Sequence, residues 1–490
     1  MSQDLLFPIY KPNFMYFSLK EKKFWVILPL LLTVIIIVLL LVKNFSFDVI
    51  SFKNGKSFSY HLFLLVIIIF PLLFLSVFDH WKEILFHKKL LLAGLSSFFI
   101  AINFSSHQSY QFSFLFAAVA LIYLFFERKI FRPNTFFILL ILYFGINALS
   151  LIWTNDIKLG VSYLREIIPL IYVSLLFSFF RLGKRDFDMI VLFIFRFSII
   201  YAFISICSWI IETRFLEFPP INSFGFSKQI LNNRNCYDIV YAWSDRVHPT
   251  YNGINLLFAL SIGWYYIFRK KVKDNINPYE FVFIVLSTLL IGIITASRFI
   301  IIVWIIVNLA GILFSIRNNK KLLISVTLCF FITGAFSLAK FSDKCVNFIQ
   351  DPIRVFHYEV AFESIKKNPF IGTGYGGIPP MIEKDNPAYV ANNNFPPNVY
   401  QMKHPDNQLL SDFMQTGVFG FALITLILSF PLFLSIKNKD WLLFVNSLFF
   451  LILMNIESPL MYVNGIFTFT LIFNLLLNRN TKLKQYNLIR

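Results

Sequence analysis

Apolar runs long enough to cross a bilayer recur along almost the whole of this 490-residue chain. About 30 Å of hydrocarbon calls for about 20 apolar residues in a helix, which satisfies its own backbone N–H and C=O groups away from water. Such runs are read at 24–42, 60–78, 90–104, 112–126, 136–153, 166–180, 189–211, 250–268, 280–296, 299–316, 322–340, 409–436, 441–456 and 460–477. Only 14% of the residues are charged, against about 25% in a soluble domain, and the deficit is spread along the chain. The expectation is an all-α, polytopic membrane protein of about fourteen transmembrane helices. No small-residue cleavage site follows the first run, so it reads as a retained span and not a signal peptide.

Charge sets the expected topology. In a membrane chain a net charge of +18 reflects Lys and Arg in cytoplasmic loops rather than nucleic-acid binding. Alternate connections are basic: Lys82, Lys88 and Lys89, then Arg128, Lys129 and Arg132, then Arg181, Lys184 and Arg185. Arg269 to Lys273, Arg317 to Lys321, Lys437 with Lys439, and the tail from Arg479 continue the series. All fall on one side if both termini are cytoplasmic; the first outer loop, with Lys43, Lys53 and Lys56, is the exception. This arrangement puts two long polar loops, 212–249 and 341–408, on the outer face, together with Ser297 and Arg298 at a span end. It divides the chain into 1–249, N-terminal helices with the first long loop, and 250–490, which carries the second. Cys236 and Cys345 lie in the two long loops, which leaves a disulfide between them open, though their spacing does not support one.

The chain has no P-loop, no GxGxxG opening a helix, no HExxH and no CxxC pair, which argues against ATP-driven transport and nicotinamide chemistry. Arg298, in ITASRFIIIVW, reads either as a phosphate clamp or as a side chain snorkelling to headgroups. Arg354 opens an amphipathic stretch expected to lie along the membrane surface, as a second clamp or an ordinary polar-face residue. Gly372, Gly374, Gly376 and Gly377 form a turn that permits close backbone approach to a ligand. His404, Asp406 and Asn407 precede the run that begins at 409, and Asp412 follows near the same mouth. Asp406 or Asn407 suits the N-cap, and a carboxylate here reads either as a cap or as a general base toward a sugar hydroxyl. Arg246 and His248, in SDRVHPTYNG, add a cation and a titratable group, or are simply loop residues entering a helix. Arg196, inside an apolar run, is either a buried site or a snorkelling side chain. Arg165 and Glu166 read as a structural ion pair opening the 166–180 run, and Gly417 with Gly420 as a close-packing helix face.

The order of TASRFIII, RVFHYEVAFESIKKNPFIGTGYG and HPDNQLLSDFMQTGVFG resembles the O-antigen ligase and O-antigen polymerase superfamily over roughly 291–436, with HPTYNG a softer upstream match. That resemblance implies a GT-C-like bacterial inner-membrane glycosyltransferase with a periplasmic active site, using an undecaprenyl-diphosphate-linked glycan and needing no nucleotide cofactor or metal. It implies arginines on the diphosphate, matched by Arg298 and Arg354 with Arg246 in reserve, and a histidine serving the acceptor. This chain has Asp406–Asn407 where the ligases have His–Asn, and His404 matches a less constant histidine two residues earlier. The departure leans the reading from ligase to polymerase, with Asp406 or His404 as base and His248, Asn407 and Tyr375 as further substrate-binding residues. Expected partners are the lipid-linked glycan donor, a glycan acceptor, membrane lipid and a chain-length regulator. The alternatives are transfer to lipid A-core, transfer to a protein hydroxyl, and a lipid-linked oligosaccharide flippase, which would show broken helices or charge at mid-membrane and short outer loops.

Overall fold

The computed structural model describes residues 84–103, 106–127, 131–215, 249–268, 276–294, 297–316, 352–378 and 407–479, together with Phe70, Leu73, Val77 and Pro405. Twelve α-helices account for most of them, and no strand occurs among the described residues beyond one bridge between Leu182 and Arg479. In chain order they are α1 (Phe86–Ile102), α2 (Ser106–Glu127), α3 (Thr135–Leu149), α4 (Ile157–Phe179), α5 (Lys184–Phe215) and α6 (Pro249–Phe268). Then come α7 (Pro278–Ile294), α8 (Arg298–Ile316), α9 (Pro352–Lys367), α10 (Gln408–Lys437), α11 (Trp441–Ile456) and α12 (Val463–Leu477), with 3₁₀ turns at Ser150–Ile152 and Pro459–Met461. Ser109–Glu127, Thr135–Ile152, Ile157–Phe179, Lys184–Ile206 and Gln408–Lys437 are long and apolar enough to cross a membrane, and five shorter apolar helices accompany them. The protein is an all-α polytopic membrane protein. The runs at 24–42, 60–78 and 322–340 lie wholly or almost wholly outside the described residues, as do Cys236 and Cys345.

Local chemistry explains where the helices begin. Asn134 caps α3 by accepting from Phe137 N at 2.8 Å, and Asp156 caps α4 by accepting from Leu159 N at 2.9 Å. The Asp156 cap corrects the expected start at 166. Arg165 and Glu166 lie two turns inside α4 and do not open it. Asp440 caps α11 in the same way, with Leu443 N at 3.2 Å.

Alternation of direction gives the bundle two ends. At one, His87 meets Glu127 at 2.7 Å, Lys88 meets Asp186 at 2.9 Å, and Arg479 pairs with Asp440. Lys89, Arg132, Arg181, Lys184, Arg185, Lys437 and Lys439 sit at the same helix ends, so the described basic connections between the long apolar helices gather there. At the opposite end, α10 and α12 begin, α3 gives way to α4, and α8 starts beside α6.

Helices α6 and α12 form the centre, buried on nearly every side. Helices α2 and α3 stand at the periphery and leave Phe125, Ile138, Ile141 and Leu142 exposed, the outward apolar surface that lipid covers. Amides tie the apolar interior: Asn255 to Asn103 at 2.8 Å, Asn446 to Ser261 at 3.1 Å and Asn474 to Ser174 at 2.7 Å. Arg196 does not snorkel to the surface. It is 2% exposed and faces Glu280 at 3.6 Å, a buried charge met by an opposite one.

Candidate functional site

Helix α10 is broken. Gly417 has φ 66° and ψ −158°, a conformation closed to L side chains, and the helical ladder stops on either side of it. An unbroken helix would bond Val418 N to Met414 O. Here Val418 N donates to Pro369 O at 3.0 Å, and Met414 O accepts from Thr373 N at 2.8 Å. Gln415 O accepts from Gly374 N at 2.9 Å, and the Gln415 side-chain oxygen accepts from Gly376 N at 3.1 Å. The segment after α9 therefore supplies the bonds that the break removes, which irregular backbone beside hydrocarbon requires. At Gly374, φ is 85° and a Cβ would strike the Thr154 backbone. The glycine turn thus permits close approach of the chain to itself. Trp153 Nε1 donates to Ile371 O at 3.0 Å and Tyr375 N to Ser150 Oγ at 3.0 Å, fastening the same segment to the end of α3.

The break marks a level. From Val418 to Lys437 the helix rises about 30 Å, enough to cross the hydrocarbon alone. Gln408–Thr416 extends beyond that length, and α9 packs against it. His357, Ala361 and Ser364 form the buried stripe of α9, with Ala361, Met414 and Ile378 in one small apolar cluster. Glu359, Phe362, Glu363, Lys366 and Lys367 are exposed.

Beneath α9 lies a polar core. Asp412 is 0% exposed; Tyr143 Oη donates to its Oδ1 at 2.8 Å and Gln408 Nε2 to its Oδ2 at 3.1 Å. Gln408 also accepts from Leu460 N at 3.0 Å and donates its own N–H to Glu457 O at 3.3 Å. Tyr375, also 0% exposed, packs its ring 6.2 Å from Tyr163, and its hydroxyl has no hydrogen-bond partner among the described residues. Burial, with the Asp412 carboxylate adding, holds the Tyr375 phenol well above the usual tyrosine range, so it stays protonated.

The expected site residues fall as follows. Arg298 is the first residue of α8 and Arg354 lies in the first turn of α9; their side chains are outside the described set. Ile300 of α8 lies against Gly253 of α6, and the Tyr251 ring lies 5.5 Å from that of Tyr462, tilted to it, next to the turn that bonds Gln408. The helix starts bearing Arg298 and Asn407 therefore share one end of the bundle. Asn407 is the N-cap of α10, accepting from Leu410 N at 3.0 Å, while its amide donates to Asn455 O at 3.2 Å. That decides the cap between Asp406 and Asn407, and it commits both ends of the Asn407 amide to protein. His404, Asp406, Arg246 and His248 lie outside the described residues. Asp412 is neither a cap nor at an open mouth, and its partners Tyr143 and Gln408 were not singled out from sequence. The signal available was a carboxylate four residues after a glutamine on one helix face.

No curated protein matches the chain. Residues 256–425 match the family model described as O-antigen ligase, a segment that spans α6 to the middle of α10 and includes the stitched break. Over that segment the chain is similar to the O-antigen ligase family, which supports a relationship to the O-antigen ligase and polymerase superfamily.

Proposed function

We propose that the protein is a surface-polysaccharide polymerase. It transfers a glycan from undecaprenyl diphosphate to a sugar hydroxyl of a second lipid-linked repeat unit, on the periplasmic face of the inner membrane. The bond between the anomeric carbon and the diphosphate oxygen breaks as the acceptor oxygen bonds from the opposite side, inverting that carbon. The acceptor proton passes to Asp406, or to His404, and undecaprenyl diphosphate leaves. Arg298 and Arg354 meet the charge that develops on the leaving group, with Arg246 as a further cation. His248 serves the acceptor sugar. Asn407 and Tyr375 act from behind the surface, as a helix cap and as packing for the glycine segment. Holding donor and acceptor together supplies much of the rate, and a rigid joint between α9 and α10 serves that end.

One observation carries the reading: α8, α10 and the α9 segment stitched to α10 all start or dock at the bundle end opposite the basic one. This shared end supports reading Arg298, Arg354 and the approach to α10 as one site. Supplying purified protein with lipid-linked repeats alone tests it. Longer chains are expected, and Arg298→Ala should cut extension by about 10²-fold or more while the protein still reaches the membrane. A normal chain-length distribution in that variant rejects the clamp. A second reading, transfer to lipid A-core, is favoured by the description of the matching family as O-antigen ligase. Transfer only after lipid A-core is added would establish it.

A further inference from the structure

We infer that Asp412 is a positioning residue, holding the first turn of α10 to α3 and to the Pro459–Met461 turn so that the group preceding Asn407 meets the acceptor. This rests on the reading above that the approach to α10 carries the base.

A fully buried carboxylate is costly, and an apolar side chain of similar size would serve folding at least as well. Among the described residues Asp412 makes no ion pair. It uses its two oxygens as a bridge: Oδ1 takes the Tyr143 hydroxyl of α3 at 2.8 Å, and Oδ2 takes the Gln408 amide of α10 at 3.1 Å. With its nitrogen held by the carboxylate, the Gln408 amide can turn only its oxygen toward Leu460 N, at 3.0 Å. Replacing the carboxylate by an amide frees the Gln408 side chain to flip and breaks that register. The neighbouring tethers point to the same place. Asn407 donates to Asn455 O at 3.2 Å, and Pro405 O accepts from Ser458 Oγ at 2.6 Å. The residues on both sides of position 406 are thus fastened to the α11–α12 connection, and Asp412 orients the side chain that completes the fastening. The same bridge reaches the glycine segment, because the Ser150 hydroxyl at the end of α3 accepts from Tyr375 N at 3.0 Å.

The test uses full-length protein in lipid nanodiscs, comparing wild type, Tyr143→Phe, Asp412→Asn and the double variant. Chain extension is followed across donor concentrations, with the thermal midpoint and amide exchange at 408–411 measured alongside. Each single variant is expected to lower kcat about tenfold or more, with KM for the donor within about twofold, because positioning acts on the reacting complex. The double variant should be no worse than the poorer single, since both cut one bridge. Exchange at 408–411 should quicken in Tyr143→Phe, whose shape barely changes. Wild-type kcat in both singles overturns the inference, as does a kcat loss matched by a collapsed thermal midpoint, or losses that multiply. If wild type transfers nothing, the proposed activity fails instead. The exchange result then decides the bridge alone, and unchanged exchange refutes it.

Discussion

Asp406 and Asp412 are both carboxylates near the start of α10, and the surroundings of Asp412 set it apart from the proposed base. Asp412 is enclosed and spends both oxygens on protein partners, so a sugar hydroxyl has no access to it. Capping falls to Asn407, which frees Asp406 from that task and sharpens the test of it as base. Asp406→Asn should leave the thermal midpoint unchanged and lower chain extension by about 10² to 10⁴-fold. Asn407→Ala should instead cost about 1 kcal/mol of stability through the lost cap. Full activity in Asp406→Asn would remove that residue from the mechanism.

At the scale of elements, the decisive unit is α10 together with the segment after α9. A broken helix is a feature of transporters, where freed carbonyls hold an ion or substrate. In this protein Met414 O and Gln415 O are both occupied by the glycine segment. The break therefore serves as a joint between two elements. Gly417→Ala would force an L side chain into φ 66° and drive its Cβ toward Phe370 O. A loss of about 1–3 kcal/mol is expected from the backbone alone, read as a lowered thermal midpoint with transfer falling alongside. A variant as stable as wild type would mean that α10 straightens without penalty.

Over the whole molecule, the two ends differ in charge and the interior holds a paired one. Arg196→Leu leaves Glu280 buried without its 3.6 Å partner, for an expected cost of about 3–5 kcal/mol. Arg196→Leu with Glu280→Leu together should recover most of it. A double variant as unstable as the single would deny the coupling. Orientation is testable with single cysteines at Lys439 and Asn368, introduced after the four native cysteines are replaced by serine. An impermeant thiol reagent on intact spheroplasts should label Asn368→Cys and spare Lys439→Cys, because basic connections stay in the cytoplasm. Reversed labelling would move the site to the other face.

Hydrophobic period and alternating charge were enough to read an all-α membrane bundle whose basic connections share one end, because lipid demands helices wherever the chain is apolar and position along the chain sets their direction. The match at 256–425 lies where motif order already pointed. What depends on contacts between distant segments was not legible: the partner of Arg196, the enclosure of Asp412 by Tyr143, and the exchange of backbone bonds between 369–376 and the Gly417 break. Glycine in a sequence says that a backbone needs room or an unusual φ. Only the fold shows that another stretch of the same chain fills that room, since backbone hydrogen bonds leave no mark in residue type.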